Sequence, residues 1–185
     1  MRDHPPMPGL DARERRLAEM IRVDHAGEYG AVQIYRGQRA VFDRIESKAH
    51  AARVIADMEA GEQEHLKTFD RMIAERGVRP TVMAPLWRVM GFGLGAATAL
   101  MGERAAHACT EAVEDVIEEH YARQSQALAG VDAELKHVVD RFREDEIAHK
   151  DTAVEQGAHD AFGYSVLSAV IKVGCRAAIR ISEKI

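Results

Sequence analysis

Cysteine is scarce in these 185 residues: Cys109 and Cys175 are the only two, far apart and in no Cys-x-x-Cys pair. That excludes a disulfide framework and a zinc ribbon, and leaves buried free thiols in a reducing compartment as the plain reading. Positive charge is also short, with 25 Lys and Arg against 30 Asp and Glu, a net charge of −5 and a pI near 6.0. With aromatics at 5 %, the chain offers neither a basic field nor a stacking surface, so nucleic acid is not an expected partner. Long uninterrupted apolar runs are missing too. Two stretches come close to a membrane span: Val82 to Gly102, whose only charge is Arg88, and Phe162 to Ile181, which carries Lys172, Arg176 and Arg180. The beginning, "MRDHPPMPGLDARERR", has early prolines and acids and no apolar core, so it reads as neither a secretory signal nor a transit peptide. Residues 1–16 are expected to be a short flexible segment, and 17–185 a single domain.

Period-two alternation is absent as well, while period 3.6 runs almost throughout, so the chain reads as all-α. One helix is expected over about Ala12 to Ile45. A second covers about Lys48 to Arg76, behind a Ser47 cap and closed by Gly77 and Pro80. A third region runs from about Pro85 to Leu128 through Gly91, Gly93 and Gly95, which mark either a weak, kinked helix or a close approach of another backbone or a lipid. Asp132 suits an N-cap for a helix to about Gln156, and a last helix fills the C-terminus.

Two buried-looking rows carry charge. Ile55, Met58, Glu62, His65, Phe69 and Met72 step by three and four, and so do Leu135, Val139, Phe142, Glu146, His149 and Ala153. Each row holds one Glu-x-x-His pair. The preceding helix of each also has a glutamate on its seam: Glu28 lies 34 residues before Glu62, and Glu114 lies 32 before Glu146. Tyr35 and Tyr121 follow those glutamates at the same offset. A single Glu-x-x-His is usually surface decoration, but a duplicated one on apolar seams, duplicated glutamate included, needs a compensating charge. One Glu from each of two helices and Glu-x-x-His from two others is the ligand set of ferritin-like di-iron and di-manganese bundles. Glu28, Glu62, His65, Glu114, Glu146 and His149 are therefore the expected metal ligands. Mixed oxygen and imidazole donors suit iron, and less well manganese, over structural zinc. Asp24 either orients a ligand or pairs with Arg22, Glu103 and His107 are supporting or core groups, and the roles of Tyr35, His120 and Tyr121 stay open.

The stretches "IRVDHAGEYGAVQIYRGQ", "EQEHLKTFDRMI", "RPTVMAPLWRVMGFGLGAATALMGERAAHACTEAVEDVIEEHY" and "FREDEIAHKDTA" closely resemble the demethoxyubiquinone monooxygenase family of ubiquinone biosynthesis, from about Ile21 to the C-terminus. The resemblance implies a ferritin-like fold and a carboxylate-bridged centre of two iron ions, with the family's ligands falling on the same six residues. It also implies O₂-dependent hydroxylation of a polyprenyl methoxy-methyl-benzoquinol, with electrons from NADH or from the quinol itself. A lipid substrate gives the two apolar stretches a purpose, as additional helices on a membrane-facing side. Lys172, Arg176 and Arg180 are expected to line the lipid edge of the last helix, with Trp87 as a headgroup-level anchor. The protein is then a peripheral enzyme on the cytoplasmic side of a bacterial inner membrane, compatible with a homo-oligomer and with other members of a biosynthetic complex. Competing readings are a ferritin- or rubrerythrin-like iron oxidase or peroxidase, and a non-catalytic quinone-binding protein.

Overall fold

In the computed structural model, residues 11–184 are described, and they form six α-helices: α1 Ala12–Phe42, α2 Ala49–Arg76, α3 Ala84–Met101, α4 Glu103–Leu128, α5 Ala133–Glu155 and α6 Tyr164–Lys184. No strand occurs among these residues. The expected flexible segment lies mainly outside them, but Ala12 to Arg16 already belong to α1. Asp11 caps that helix by accepting from the Glu14 amide, while the Glu14 carboxylate accepts from the Asp11 amide. This reciprocal pairing satisfies donors that the first turn leaves free.

The helix boundaries follow their punctuation, with two corrections. Gly77 closes α2 in the left-handed region at φ 64°, and Asp132 caps α5 by accepting from the Leu135 amide. Ser47 does not cap α2; it sits inside a short 3₁₀ turn, and Lys48 occupies the cap position without a side-chain bond. The region expected as one helix from Pro85 to Leu128 is two helices, broken at Gly102, whose φ of 119° no ordinary residue adopts comfortably. The glycines within α3 do not kink it. A Cβ at Gly95 would run into the carbonyl of Ile34, and one at Gly91 would lie 2.9 Å from the carbonyl of Gly30. They let α3 lie backbone to backbone on α1.

Helices α1 and α2 form one antiparallel hairpin, and α4 and α5 form the other. α1 also runs antiparallel to α4, because Tyr35 reaches Glu114 while Tyr121 reaches Glu28. The result is a four-helix bundle whose hairpins are joined by a long crossover containing α3, as ferritin-like folds allow. Two apolar clusters fill it. Ile21, Phe69, Leu128, Leu135 and Phe142 pack one end; Phe42, Ala51, Ile55, Met58 and Ala99 pack the other. The remaining helices cover the α1–α4 side: α3 rests on α1, α6 on α4, and the Trp87 indole N–H donates to the Ser182 hydroxyl at 3.0 Å to join them. Trp87 is thus buried, and not the exposed anchor expected of it.

A second expectation fails for two of its three residues on α6. Lys172 pairs with Asp115 at 2.8 Å and Arg176 with Glu119 at 3.1 Å, both on α4. Those two charges face the protein, while Arg180 is exposed. What faces outward on α6 is apolar: Val166, Val170 and Val173 are all more than half exposed, as is Phe162 just before the helix. No helix among the described residues is long and apolar enough to cross a membrane.

Candidate metal centre

All six residues selected by periodicity meet between the two apolar clusters. Glu28, Glu62, His65 and Glu146 bring one ligand atom each to within 4.8 Å of one another, and so do Glu62, Glu114, Glu146 and His149. Glu62 and Glu146 belong to both groups. Each hairpin therefore supplies the end of one half-site, Glu28 with His65 or Glu114 with His149, while a glutamate from each of α2 and α5 lies between.

The i, i+3 spacing does this locally, since residues three apart stand on one helical face. The side chains are deeply buried: Glu62 and Glu146 have no exposed surface, and Glu28 and Glu114 almost none. His65 Nδ1 lies 3.3 Å from Glu146 and 3.4 Å from Glu28, and His149 Nδ1 lies 2.9 Å from Glu62 and 3.5 Å from Glu146. These approaches lack hydrogen-bond alignment. Both Nδ1 atoms, both oxygens of Glu62 and of Glu146, and one oxygen each of Glu28 and Glu114 are buried without a hydrogen-bond partner. Eight orphaned donor atoms converging on one point cost about 1–3 kcal/mol apiece unless something binds them. Two divalent cations fit that requirement: four carboxylates supply four negative charges, and the donors are the hard oxygens and imidazoles that iron and manganese accept.

Tyrosines hold the outer carboxylates. Tyr35 donates to Glu114 at 2.6 Å and Tyr121 donates to Glu28, so each hairpin orients the other's terminal glutamate. Asp24 accepts from Gln124 at 2.8 Å and bonds the ring nitrogen of His120 at 3.1 Å. It orients neither candidate ligand histidine, and Arg22 instead donates to the carbonyl of Arg79. His107 is buried away from the centre, and Glu103 pairs with Lys48. Asp145 escaped sequence reasoning. Its carboxylate lies 3.0 Å from His65 Nε2, and the one available signal was its place directly before Glu146.

Electrostatics in the metal-free protein follow from this crowding. Burial, then the nearby Glu62, raises the Glu28 carboxyl well above the usual range; burial, then Glu146 and Glu62, does the same to Glu114. Burial would raise Glu62 too, but its contacts with His149 and His65 lower it to about 2. Burial would lower His149, yet Glu146 and Glu62 push it up to about 11, and His65 is raised by Glu146 and Glu28 in the same way.

These directions give opposite pH responses with and without metal. Groups whose pKa is raised on folding stabilise the fold below their unfolded values and lose that contribution as pH rises through the folded ones. Metal-free protein is therefore expected to lose stability as pH rises from about 6 to about 8, where His149, pushed up to about 11, keeps a proton that the unfolded chain gives up. Metal displaces the same protons, so metal-loaded protein should gain stability over that range. Thermal unfolding at pH 6, 7 and 8, with and without chelator, checks this; parallel slopes would contradict it.

Residues 15–182 match the family model described as ubiquinone biosynthesis protein COQ7. The chain is 44 % identical over 179 residues to a 3-demethoxyubiquinol 3-hydroxylase of Rhodospirillum rubrum, covering 97 % of this chain and 83 % of that one. It is 45 % identical over 170 residues to the human mitochondrial NADPH-dependent 3-demethoxyubiquinone 3-hydroxylase, covering 90 % and 76 %. It is also 39 % identical over 190 residues to the yeast mitochondrial 5-demethoxyubiquinone hydroxylase, covering 95 % and 81 %.

Proposed function

Because the chain belongs to the COQ7 family of ubiquinone biosynthesis, we propose that it is an O₂-dependent monooxygenase that hydroxylates a polyprenyl demethoxyubiquinol at two iron ions. The observation that carries this is the buried set of four glutamates and two histidines with converging, unpartnered donor atoms. Glu62 and Glu146, common to both groups, would be shared by the two ions, Glu28 and His65 would complete one position, and Glu114 and His149 the other. When bound, the ions supply O₂ reduction and an oxidant for the electron-rich ring. One oxygen atom enters a ring C–H bond and the other leaves as water. Two electrons and two protons come from reduced nicotinamide, as the human relative's name indicates, or from the quinol.

The chain's own residues prepare that chemistry. Tyr35 and Tyr121 fix the rotamers of Glu114 and Glu28 by donating to one oxygen of each, which leaves the second oxygen for metal. Phe142 stacks on the His65 ring at 3.8 Å and, with Ile21 and Phe69, closes the site's end against water. Dryness strengthens every charge interaction inside and suppresses loss of oxidant to solvent.

The substrate's polyprenyl tail gives the outward faces of α3 and α6 their use. Val89, Met90, Leu100 and Met101 of α3 are more than half exposed, as are Phe162, just before α6, and Val166, Val170 and Val173 on it. Such a surface belongs against acyl chains. It rests on the inner membrane of a bacterium, with α1 and α4 between lipid and metal. Charging this face by Val166→Glu, Val170→Glu and Val173→Glu is expected to weaken vesicle binding on the order of 100-fold, about 1 kcal/mol per valine. Lys172→Glu should instead loosen α6 from Asp115. Co-sedimentation with vesicles reads the first effect, and unchanged binding of the triple variant would remove the membrane reading.

Turnover itself is tested with iron-loaded protein, a short-tailed demethoxyquinol, NADPH and ¹⁸O₂. The expected product gains one ¹⁸O by mass spectrometry. Oxygen uptake with an unlabelled ring would favour an iron oxidase, and metal binding without oxygen uptake a quinone-binding protein.

A further inference from the structure

The bundle's internal symmetry fails directly before the two central glutamates. Glu28 and Glu114, Tyr35 and Tyr121, Glu62 and Glu146, and His65 and His149 all occupy equivalent positions in the two hairpins. The residue directly before each bridging glutamate does not: it is Asp145 on α5 and Gly61 on α2. Asp145 Oδ2 lies 3.0 Å from His65 Nε2, across the gap between α5 and α2. A proton donated from Nε2 to Asp145 would leave Nδ1, which faces Glu28, Glu62 and Glu146, as the nitrogen that gives up its proton to a metal, and the ring cannot turn without breaking the bond. Phe142 stacks on it from below.

His149 has none of this. Gly61 stands where the matching carboxylate would be, and no described residue accepts from His149 Nε2. A Cβ at position 61 would lie 3.2 Å from that nitrogen, so the glycine lets the imidazole edge lie directly over the α2 backbone. Both histidines floor a surface cleft of about 620 Å³ between α2 and α5, rimmed by Glu64, Thr68 and Asp145. The His149 side chain is 15 % exposed there, against 4 % for His65.

We propose that the two metal positions are unequal: Asp145 makes the Glu28–His65 position the tight one, and the Glu114–His149 position, with glycine in place of that carboxylate, exchanges its ion through the α2–α5 cleft. This rests on the two-metal reading above. Asp145 is a positioning residue, acting on metal only through the His65 ring.

The test is anaerobic titration of chelator-stripped full-length protein with Mn(II), free Mn(II) being counted by electron paramagnetic resonance. Wild type should bind two equivalents in steps at least about tenfold apart, the range that outer partners of a ligand histidine control. Asp145→Ala should weaken the tight step roughly 10- to 100-fold and leave the weak one in place. Asp145→Asn, which keeps an acceptor, should recover part of the loss. His149→Ala should remove the weak step alone, and in wild type one ion should leave to chelator much faster than the other. Circular dichroism confirms that the variants stay folded, as expected for a half-exposed aspartate. Two equal steps in wild type, or an Asp145→Ala titration identical to wild type, would overturn the inequality while leaving the two-metal reading intact. No Mn(II) binding by wild type would overturn both.

Discussion

Glu146→Ala is expected to abolish ring hydroxylation and to cost the protein both metal ions. Glu146 sits in both ligand groups, fully buried, with its two oxygens unpartnered by protein. Removing it strips one donor from each position at once and leaves three carboxylates against two dications. Loss of a mere outer partner of a ligand costs roughly 10–100-fold in affinity, so the loss of a shared ligand should exceed about 100-fold at both sites. The contrast with Glu114→Ala is informative, because Glu114 belongs to one group only, and its variant should retain one ion. Metal content after gel filtration, alongside the ¹⁸O assay, reads both. A Glu146→Ala protein that keeps two ions and turns over would end the bridging assignment.

Stripping the metal should lower the melting temperature by roughly 15–30 °C. Eight buried donor atoms lose their only partners, and Glu28, Glu114 and the two histidines must share protons in a dry interior. Two ions, each present at a thousand times its Kd, contribute about 8 kcal/mol to the folded state. At about 2–4 °C per kcal/mol for a chain of this size, that gives the stated range. Calorimetry with and without chelator measures it directly, and a change within about 3 °C would mean that no metal is built into the fold. Glu62→Gln should then behave oddly. It weakens the loaded protein, yet it relieves the crowding that raises Glu28 and Glu114 in the stripped one.

Much of the site could be read without coordinates because helical period and burial coincide there. Glu62 and His65 stand on the same row as Ile55, Met58, Phe69 and Met72, and a charge on such a row is conspicuous in the bare sequence. Duplication located the second half in the same way. Local signals also placed the Asp132 cap and the Gly77 stop, since caps depend on residues three or four apart. Asp145 was invisible for the opposite reason. It is half-exposed on the flank of its helix, and only the packing of α2 against α5 shows that His65 lies within reach.

The last helix shows the boundary most plainly. Its basic residues recur every four positions, and from that alone a lipid-facing basic edge and a protein-facing one are indistinguishable. Asp115 and Glu119, more than 50 residues away in sequence, draw Lys172 and Arg176 inward and turn the valines out. Trp87 was misplaced likewise, its partner being Ser182 on a helix that sequence cannot align with it. Periodicity, caps and duplicated motifs determined the all-α class and picked out the four carboxylates and two imidazoles that converge, because those depend on neighbours a turn apart. The rotation of α6, the seating of α3 on α1 and the inequality of the two histidines were decided by tertiary packing, because each depends on which distant side chain a helix meets.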